Sequence, residues 1–555
     1  MSGDVSRREL FTTVAALGIG SATFQRAVAV EVAAQPKAMA VTPEMVKNAE
    51  WVAGITLTED ERTAVAAALS GTQNRLAALR RLDIGYDVPP ALLFNPTPGE
   101  PPSTAGRGKV EPSKLANPVK KPQADTDLAF LPLHQLAELI RTKQITSTEL
   151  TKLFLARLKK YDPALLCVVS LTEELALKQA AEADKEIAAG KYRGPLHGMP
   201  WVAKDLIAYP GYKTTWGAGH FKDQTLDTKA SVAERLDAAG CVLVAKTTLG
   251  ALAMGDRWFG GMTRNPWRIS NGSSGSSAGT ASAVAAGLVP FGIGSETLGS
   301  IVSPSRVCGV TGLRPTFGRV SRHGCMTLSW SMDKLGPMAR NAEDCALVFG
   351  AIHGPDGKDA SVQDRPFHWP GTRPLKELRV GYLNGTAEAD LKVLRELGVE
   401  PVPITLPQGA AQAIVNLILD VESATAFDDI TRAGVNEGIG QWGGTFRRAR
   451  FVSAVDYLRA QRARTLLLRQ MATVFDKVDC YVGPAGNDLV VTNLTGHPTV
   501  CLPNGFTKAG TPTALTITGK LFGETDLLML AKAYQDATDH HTKRPPEDTW
   551  VVEKK

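Results

Sequence analysis

The stretch from Asn271 to Arg306, NGSSGSSAGTASAVAAGLVPFGIGSETLGSIVSPSR, limits what this chain can fold into more than any other part. Serine, glycine and alanine displace almost every charged side chain from it. Such a segment is either flexible linker or a place where backbones approach closely and bare their N–H groups. Its interior favours the second. TASAVAAGLV is apolar and helix-compatible, and VPFGIG is a short apolar run suited to a buried strand. Two Ser/Gly loops therefore flank packed structure.

Composition narrows the class. Of 555 residues, 43% are hydrophobic and 21% charged, and the formal net charge is only +6, the profile of an ordinary globular protein. Lys and Arg are scattered, with no basic stripe that would track a phosphate backbone, so no nucleic-acid partner is expected. Seven cysteines, Cys167, Cys241, Cys308, Cys325, Cys345, Cys480 and Cys501, stand far apart with no CxxC pair. That pattern suggests neither a zinc site nor a disulfide framework, and buried free thiols are expected, with one disulfide left open.

The first thirty residues read as an address. Ser6-Arg7-Arg8-Glu9-Leu10-Phe11 precedes an Ala/Gly-rich apolar run, and Ala27-Val28-Ala29 offers a small-x-small cleavage site. The expectation is a bacterial twin-arginine signal over residues 1–29, removed on export to the periplasm or beyond, leaving no stable membrane anchor. Residues 30–87 form an N-terminal extension with helical periodicity, Thr42-Pro43-Glu44 opening a helix. Residues 88–125 are proline-rich and read as an extended arm or linker.

The main domain spans residues 126–550. Amphipathic helical runs alternate with apolar strands, Thr146-Ser147-Thr148-Glu149 supplies N-cap chemistry, and Ala230–Ala239 reads as helix before the strand CVLVAKTTL. This predicts an α/β fold. Further on, Ala410–Ala433 and Ser453–Phe475 read as long helices and VDCYVGP as a strand. The strand-like run Pro200–Ala203 closes on Lys204-Asp205. A desolvated lysine there loses its proton readily and can act as a base, while the bland alternative is a lysine paired with Asp205.

Several chemistries can be tested against the central stretch. Gly275-Ser276-Ser277-Ala278-Gly279 matches GxSxG, a nucleophile elbow with Ser277 at its centre, and His497, His540 and His541 are the downstream histidines it would need. GIGSETLGS lacks the lysine of a phosphate loop, and no His/carboxylate spacing suggests a metal. A serine whose proton leaves through a second serine to a lysine needs no histidine.

GMPWVAKD, NPWRISNGSSGSSAGTASAVAAG, GSETLGSIVSPS, GLRPTFGRVSRHG, SMDKLGPMAR and the closing TNLTGHPTVCLP stand in the order and spacing of the amidase signature family, which the chain resembles from about Leu128 to Pro545. The resemblance implies an α/β/α sandwich with a mixed central sheet covered by helices. It places the family's base on Lys204, its bridging serine on Ser276 after a cis bond from Gly275, and its nucleophile on Ser300. Ser300 stands 24 residues after Ser276, as in the family motif, which sets aside Ser273 and Ser274. The oxyanion would be held by the backbone of Thr297, Leu298, Gly299 and Ser300. No cofactor and no metal are implied. Two positions depart from the family's D-x-G-G-S-I-R: Leu298 replaces a glycine, and Val302 replaces an arginine that would pair with the acid. Arg306 is then the expected partner of Glu296.

The activity so implied is hydrolysis of a carboxylic amide C–N bond through an acyl-enzyme on Ser300, with a small-molecule amide as substrate and a homo-oligomer possible. Two alternatives stay open: the A-type subunit of a tRNA-dependent amidotransferase, and a non-catalytic exported binding protein on the same scaffold. The loops Arg319–Trp330 and Gln441–Arg450 are expected to shape the acyl pocket.

Overall fold

Along Pro200–Lys204 the side chains alternate between two apolar clusters, Trp201 and Ala203 packing on one and Val202 on the other. A strand buried on both faces in this way belongs at the centre of a sheet covered on both sides. The computed structural model describes residues 41–53, parts of 58–67, 106–407 apart from 116, 411–449 and 452–550. The twin-arginine segment with its cleavage site, much of the N-terminal extension and the arm before residue 106 lie outside the described residues.

The chain divides into residues 1–85 and 86–555. In the first unit, helix α1 (Pro43–Ala53) begins as expected after Thr42, whose Oγ1 accepts the Met45 N–H at 3.2 Å. Arg62 pairs with Glu50 at 2.7 Å.

In the second unit the described strands form a mixed eleven-stranded sheet. Its order is β1 (Val168–Leu171), β3 (Val242–Thr247), β2 (Pro200–Lys204), β8 (Phe291–Glu296), β10 (Lys334–Ala339), β9 (Thr311–Arg314), β14 (Thr499–Phe506), β15 (Pro512–Gly519), β13 (Cys480–Pro484), β11 (Val380–Tyr382) and β12 (Val402–Pro403). The short strands β4 (Arg257–Trp258) with β5 (Gly261–Met262), and β6 (Arg264–Asn265) with β7 (Arg268–Gly272), make two separate hairpin pairs. β2 runs parallel to β3 and β8, with Ala203 beside Ile293, so Lys204 and Ser295 emerge at the same end of neighbouring strands.

Helix α2 (Ser147–Leu165) starts on a full capping box: Thr146 Oγ1 accepts the Glu149 N–H at 3.0 Å, and Glu149 accepts the Thr146 N–H at 2.8 Å. The central stretch folds as loop, helix α3 (Ala278–Ala285, buried throughout), strand β8, a turn, and helix α4 (Val302–Cys308). It is packed structure, not linker. Farther on, α5 (Ala411–Ala426), α6 (Ala454–Phe475) and α7 (Leu489–Thr495) pack together around Ile414, Val415, Ile418, Leu467 and Leu494. The single helix expected over Ala410–Ala433 is broken at Phe427, which leaves helical geometry and turns its ring onto Phe446.

The proline-rich arm is pinned from Arg107 to Lys121. Lys109 C=O accepts the Trp369 N–H at 2.9 Å, Trp369 C=O accepts the Glu111 N–H at 2.8 Å, and Arg107 donates to the carbonyls of Ala351 and His353 at 2.9 and 2.8 Å. All seven cysteines are free thiols.

Candidate active site

Lys204 is fully buried at the end of β2, where its ammonium faces only hydroxyls and a carbonyl. Nζ lies 2.7 Å from Ser276 Oγ, 2.8 Å from Ser295 Oγ, 3.1 Å from Ser277 Oγ and 3.2 Å from the Ser295 carbonyl. Burial drags its pKa down to about 7, against the opposing pull of the Asp333 and Glu296 charges, which favour the protonated form. Near neutrality the amine therefore exists in both states. Once neutral it keeps two N–H donors and a lone pair, and Ser276, the nearest hydroxyl, is placed to donate to that lone pair.

The alternative pairing of Lys204 with Asp205 does not occur. Asp205 faces away and pairs with the equally buried Lys246 at 2.7 Å, while its other oxygen accepts the Thr215 N–H at 2.8 Å. Alternation along β2 sends neighbouring side chains to opposite faces, which separates the two.

The Gly275–Ser276 peptide bond is cis, as the resemblance implied. Gly275 sits where no side chain fits, since a Cβ there would lie 1.9 Å from the Gly255 carbonyl oxygen. Ser277 is part of the lysine's surroundings: its hydroxyl donates to the Ser295 carbonyl and accepts the Ser295 N–H, both at 3.1 Å. No histidine joins it. His497 is buried, bonded to Thr495 at 2.8 Å and stacked on Phe475, and burial with the nearby Arg314 charge lowers its pKa to about 3. The GxSxG match is thus coincidental.

Ser300 follows a turn after β8 and is tied to the serine pair through the backbone, its carbonyl accepting the Ser277 N–H at 3.1 Å. The turn needs Gly299, which has a φ of +88° and whose Cβ would crowd Ser303 Oγ and Leu489 at 3.0 and 3.1 Å. Among the described residues, the N–H groups of Leu298, Gly299 and Ser300 donate to no protein acceptor. Three bared donors in one small-residue turn suit a developing negative charge.

Glu296 holds that turn. Its Oε2 accepts the N–H groups of Ile301 and Val302 at 2.8 and 3.0 Å, the opening of α4, and its Oε1 accepts from Arg314 Nη1 at 2.7 Å and Asn493 Nδ2 at 2.9 Å. Burial alone would raise its pKa, but Arg314 and Lys334 prevail and hold it at about 2. This corrects the expected Glu296–Arg306 pairing. Arg306 is exposed, whereas Arg314 reaches the acid from β9, two strands along in the same sheet, and also donates to Thr499 Oγ1 at 2.6 Å. The two departures are absorbed by packing. Leu298 joins the apolar cluster of α5, α6 and α7, and Val302 packs with Ala485 and Cys501.

A small cavity of about 20 Å³ borders the turn, lined in part by Ser295, Thr297, Arg322, Met326, Leu328 and Asp333. The loop Arg319–Trp330 therefore reaches the site, as expected. Among its described residues the segment Gln441–Arg450 contributes none to that cavity, and its Trp442 and Phe446 stack on one another in the core. Sequence reasoning missed Ser295, Arg314, Asp333 and Asn493. Only Ser295 left a local signal, a hydroxyl near the close of the apolar run of β8, just before Glu296.

A family profile described as Amidase matches residues 149–491. Among curated relatives, the glutamyl-tRNA(Gln) amidotransferase subunit of Acinetobacter baumannii is 34% identical over 76% of this chain and 98% of its own length. That of Methylococcus capsulatus is 33% identical over 74% and 98%. Among solved structures, the native peptide amidase from Stenotrophomonas maltophilia superposes with a TM-score of 0.66 at 31% identity, covering 75% of this chain and 98% of that one. With the mixed sheet, the buried lysine beside a cis-bonded serine and these matches together, the chain belongs to the amidase signature family.

Proposed function

We propose that this chain cleaves a carboxylic amide C–N bond, with Ser300 as nucleophile, Ser276 as proton relay and Lys204 as base. The observation that carries this reading is the fully buried lysine, its pKa near 7, hydrogen-bonded to Ser276 at 2.7 Å. Neutral Lys204 takes the Ser276 proton as Ser276 takes that of Ser300, and the Ser300 oxygen adds to the amide carbonyl. The oxyanion is met by the bared N–H groups of the Leu298–Ser300 turn, each donor of this kind contributing about 2.7–4 kcal/mol of barrier lowering. The proton returns through Ser276 to the leaving nitrogen, the C–N bond breaks, and an ester on Ser300 remains. Water then adds to that ester, giving a proton through Ser276 to Lys204; the bond between the acyl carbon and Ser300 Oγ breaks, the proton returns through Ser276 to the Ser300 oxygen, and the carboxylic acid leaves.

The same cleavage serves two ends. The curated relatives are named as a subunit of an amidotransferase for glutamyl-tRNA(Gln), which favours a chain that works with partner subunits and passes on the released nitrogen. The peptide amidase neighbour supports free hydrolysis of small amides by the chain alone. Ammonia release from a panel of amides, glutamine included, separates them. Turnover by the isolated chain, abolished in Lys204→Ala, supports a hydrolase. Turnover only with partner subunits and glutamyl-tRNA(Gln) supports the amidotransferase, and none under either condition contradicts both.

Export by the twin-arginine route is part of the proposal and is supported by Ser6-Arg7-Arg8 ahead of an apolar run. A mature protein that still begins at Ser2 would contradict it.

A further inference from the structure

The loop Ser329–Asp333 is gripped from both sides. On one side Asp333 Oδ1 accepts the Thr297 hydroxyl at 2.6 Å, and Oδ2 accepts the N–H groups of Leu328 and Ser329 at 2.8 and 3.0 Å. On the other side lies Glu422 of α5, a buried carboxylate on which five donors converge. They are Ser329 Oγ at 2.6 Å, Ser331 Oγ at 2.7 Å, Ser331 N–H at 3.0 Å, Tyr457 Oη at 2.8 Å and Gln461 Nε2 at 3.4 Å. Arg464 of α6 completes the grip, donating to the Ser331 hydroxyl and carbonyl, both at 2.8 Å, and to the Leu494 carbonyl at 2.6 Å. Leu494 adjoins Asn493, which holds Glu296. Leu298 itself packs on the cluster built by Met332, Ile414, Val415, Ile418 and Leu494.

We propose that Glu422 is a positioning residue for the oxyanion turn, acting through the Ser329–Asp333 loop on Thr297, and that Leu298 seats the same turn on the same helical layer. Where the family pattern has glycine at 298, this chain places a side chain that docks the turn on α5 and α7. The turn is therefore held by a charged anchor at one remove and an apolar anchor directly. Buried charge with all its donors in place fixes one loop geometry, because a shifted loop would leave the carboxylate short of partners. The proposal rests on the amide-cleaving reading for its catalytic consequence, though not for its structural one.

Hydrogen exchange of the Ile301 and Val302 amides, which Glu296 holds, reads the turn without reference to catalysis. In Glu422→Gln and Leu298→Ala these amides are expected to exchange about tenfold faster than in wild type, as local opening becomes easier. Over the same variants kcat should fall about tenfold to a hundredfold with KM changed less than about twofold, the mark of lost geometry in the reacting state. Tyr457→Phe, which removes one donor and keeps the carboxylate, serves if Glu422→Gln does not fold, and should give a smaller shift in the same direction. Val455→Ser, on the exposed face of α6, should leave exchange and kcat unchanged. Unchanged exchange in both Leu298→Ala and the Glu422 variants would overturn the proposal. Faster exchange in a protein that cleaves no amide would leave the positioning intact and refute the activity.

Discussion

Lys204 has four oxygens within 3.2 Å and no carboxylate among them, so no anion touches its ammonium directly. Its pKa near 7 makes the free enzyme's kcat/KM rise as pH passes upward through about 7 and level off above it, since only the neutral amine accepts a proton. Lys204→Ala should lower kcat by about 10²–10⁴-fold, the usual contribution of a general base. Glu296 is the opposite case. Its pKa in the folded chain, about 2, lies below the ordinary 4.5, so its stabilisation is complete above about 4.5 and drains away as pH falls toward 2. Glu296→Gln should cost about 3–5 kcal/mol near neutrality by stranding Arg314, and its melting temperature should depend less on pH between 4.5 and 2 than that of wild type.

At the scale of elements, the turn after β8 is a junction between the sheet and the helical layer. Arg314 of β9 and Asn493 of α7 meet on one oxygen of Glu296, and α4 begins on the other. Arg314→Met should therefore lower the melting temperature by several degrees and slow turnover. Arg306→Ala, an exposed change, should stay within about 0.5 kcal/mol of wild-type stability. Thermal melts of the two variants side by side check this. The contrast also marks what the sequence could carry. The placement of Lys204 was readable because a lysine closing an apolar strand breaks a local pattern, and the nearness of Ser276 to it and the turn that carries Ser300 were readable from the motif that surrounds them. Arg314 was not, because strand β9 reaches Glu296 through sheet order, and no spacing along the chain encodes which strands become neighbours. Glu422 and Asp333, far apart in sequence, share a loop only once the helical layer has packed. The break at Phe427 likewise follows from its ring stacking on Phe446, a tertiary contact that overrides helical propensity.

At the scale of the molecule, the arm read from sequence as an extended surface segment behaves as a strap. Its backbone pairs with residues 367–369 and Arg107 caps the carbonyls at the end of the Ala342–Ile352 helix. A chain beginning at residue 122 should melt several degrees lower than one beginning at residue 86, as those bonds are lost. The α/β alternation was legible where buried strands such as Pro200–Lys204 and Val242–Thr247 and amphipathic helices write their periods locally. The strap was not, because a proline-rich segment carries no period that says what it lies against.

Covalent labelling tests the proposed chemistry most directly. Wild-type protein, Ser300→Ala, Ser276→Ala and Lys204→Ala are each treated with a fluorophosphonate, and the adduct is read by intact-protein mass. The expected result is one adduct on wild type, located at Ser300, absent from Ser300→Ala and formed far more slowly in the other two variants, with the wild-type labelling rate rising through about pH 7. An adduct of undiminished rate in Ser300→Ala, or one located at Ser277, would contradict it.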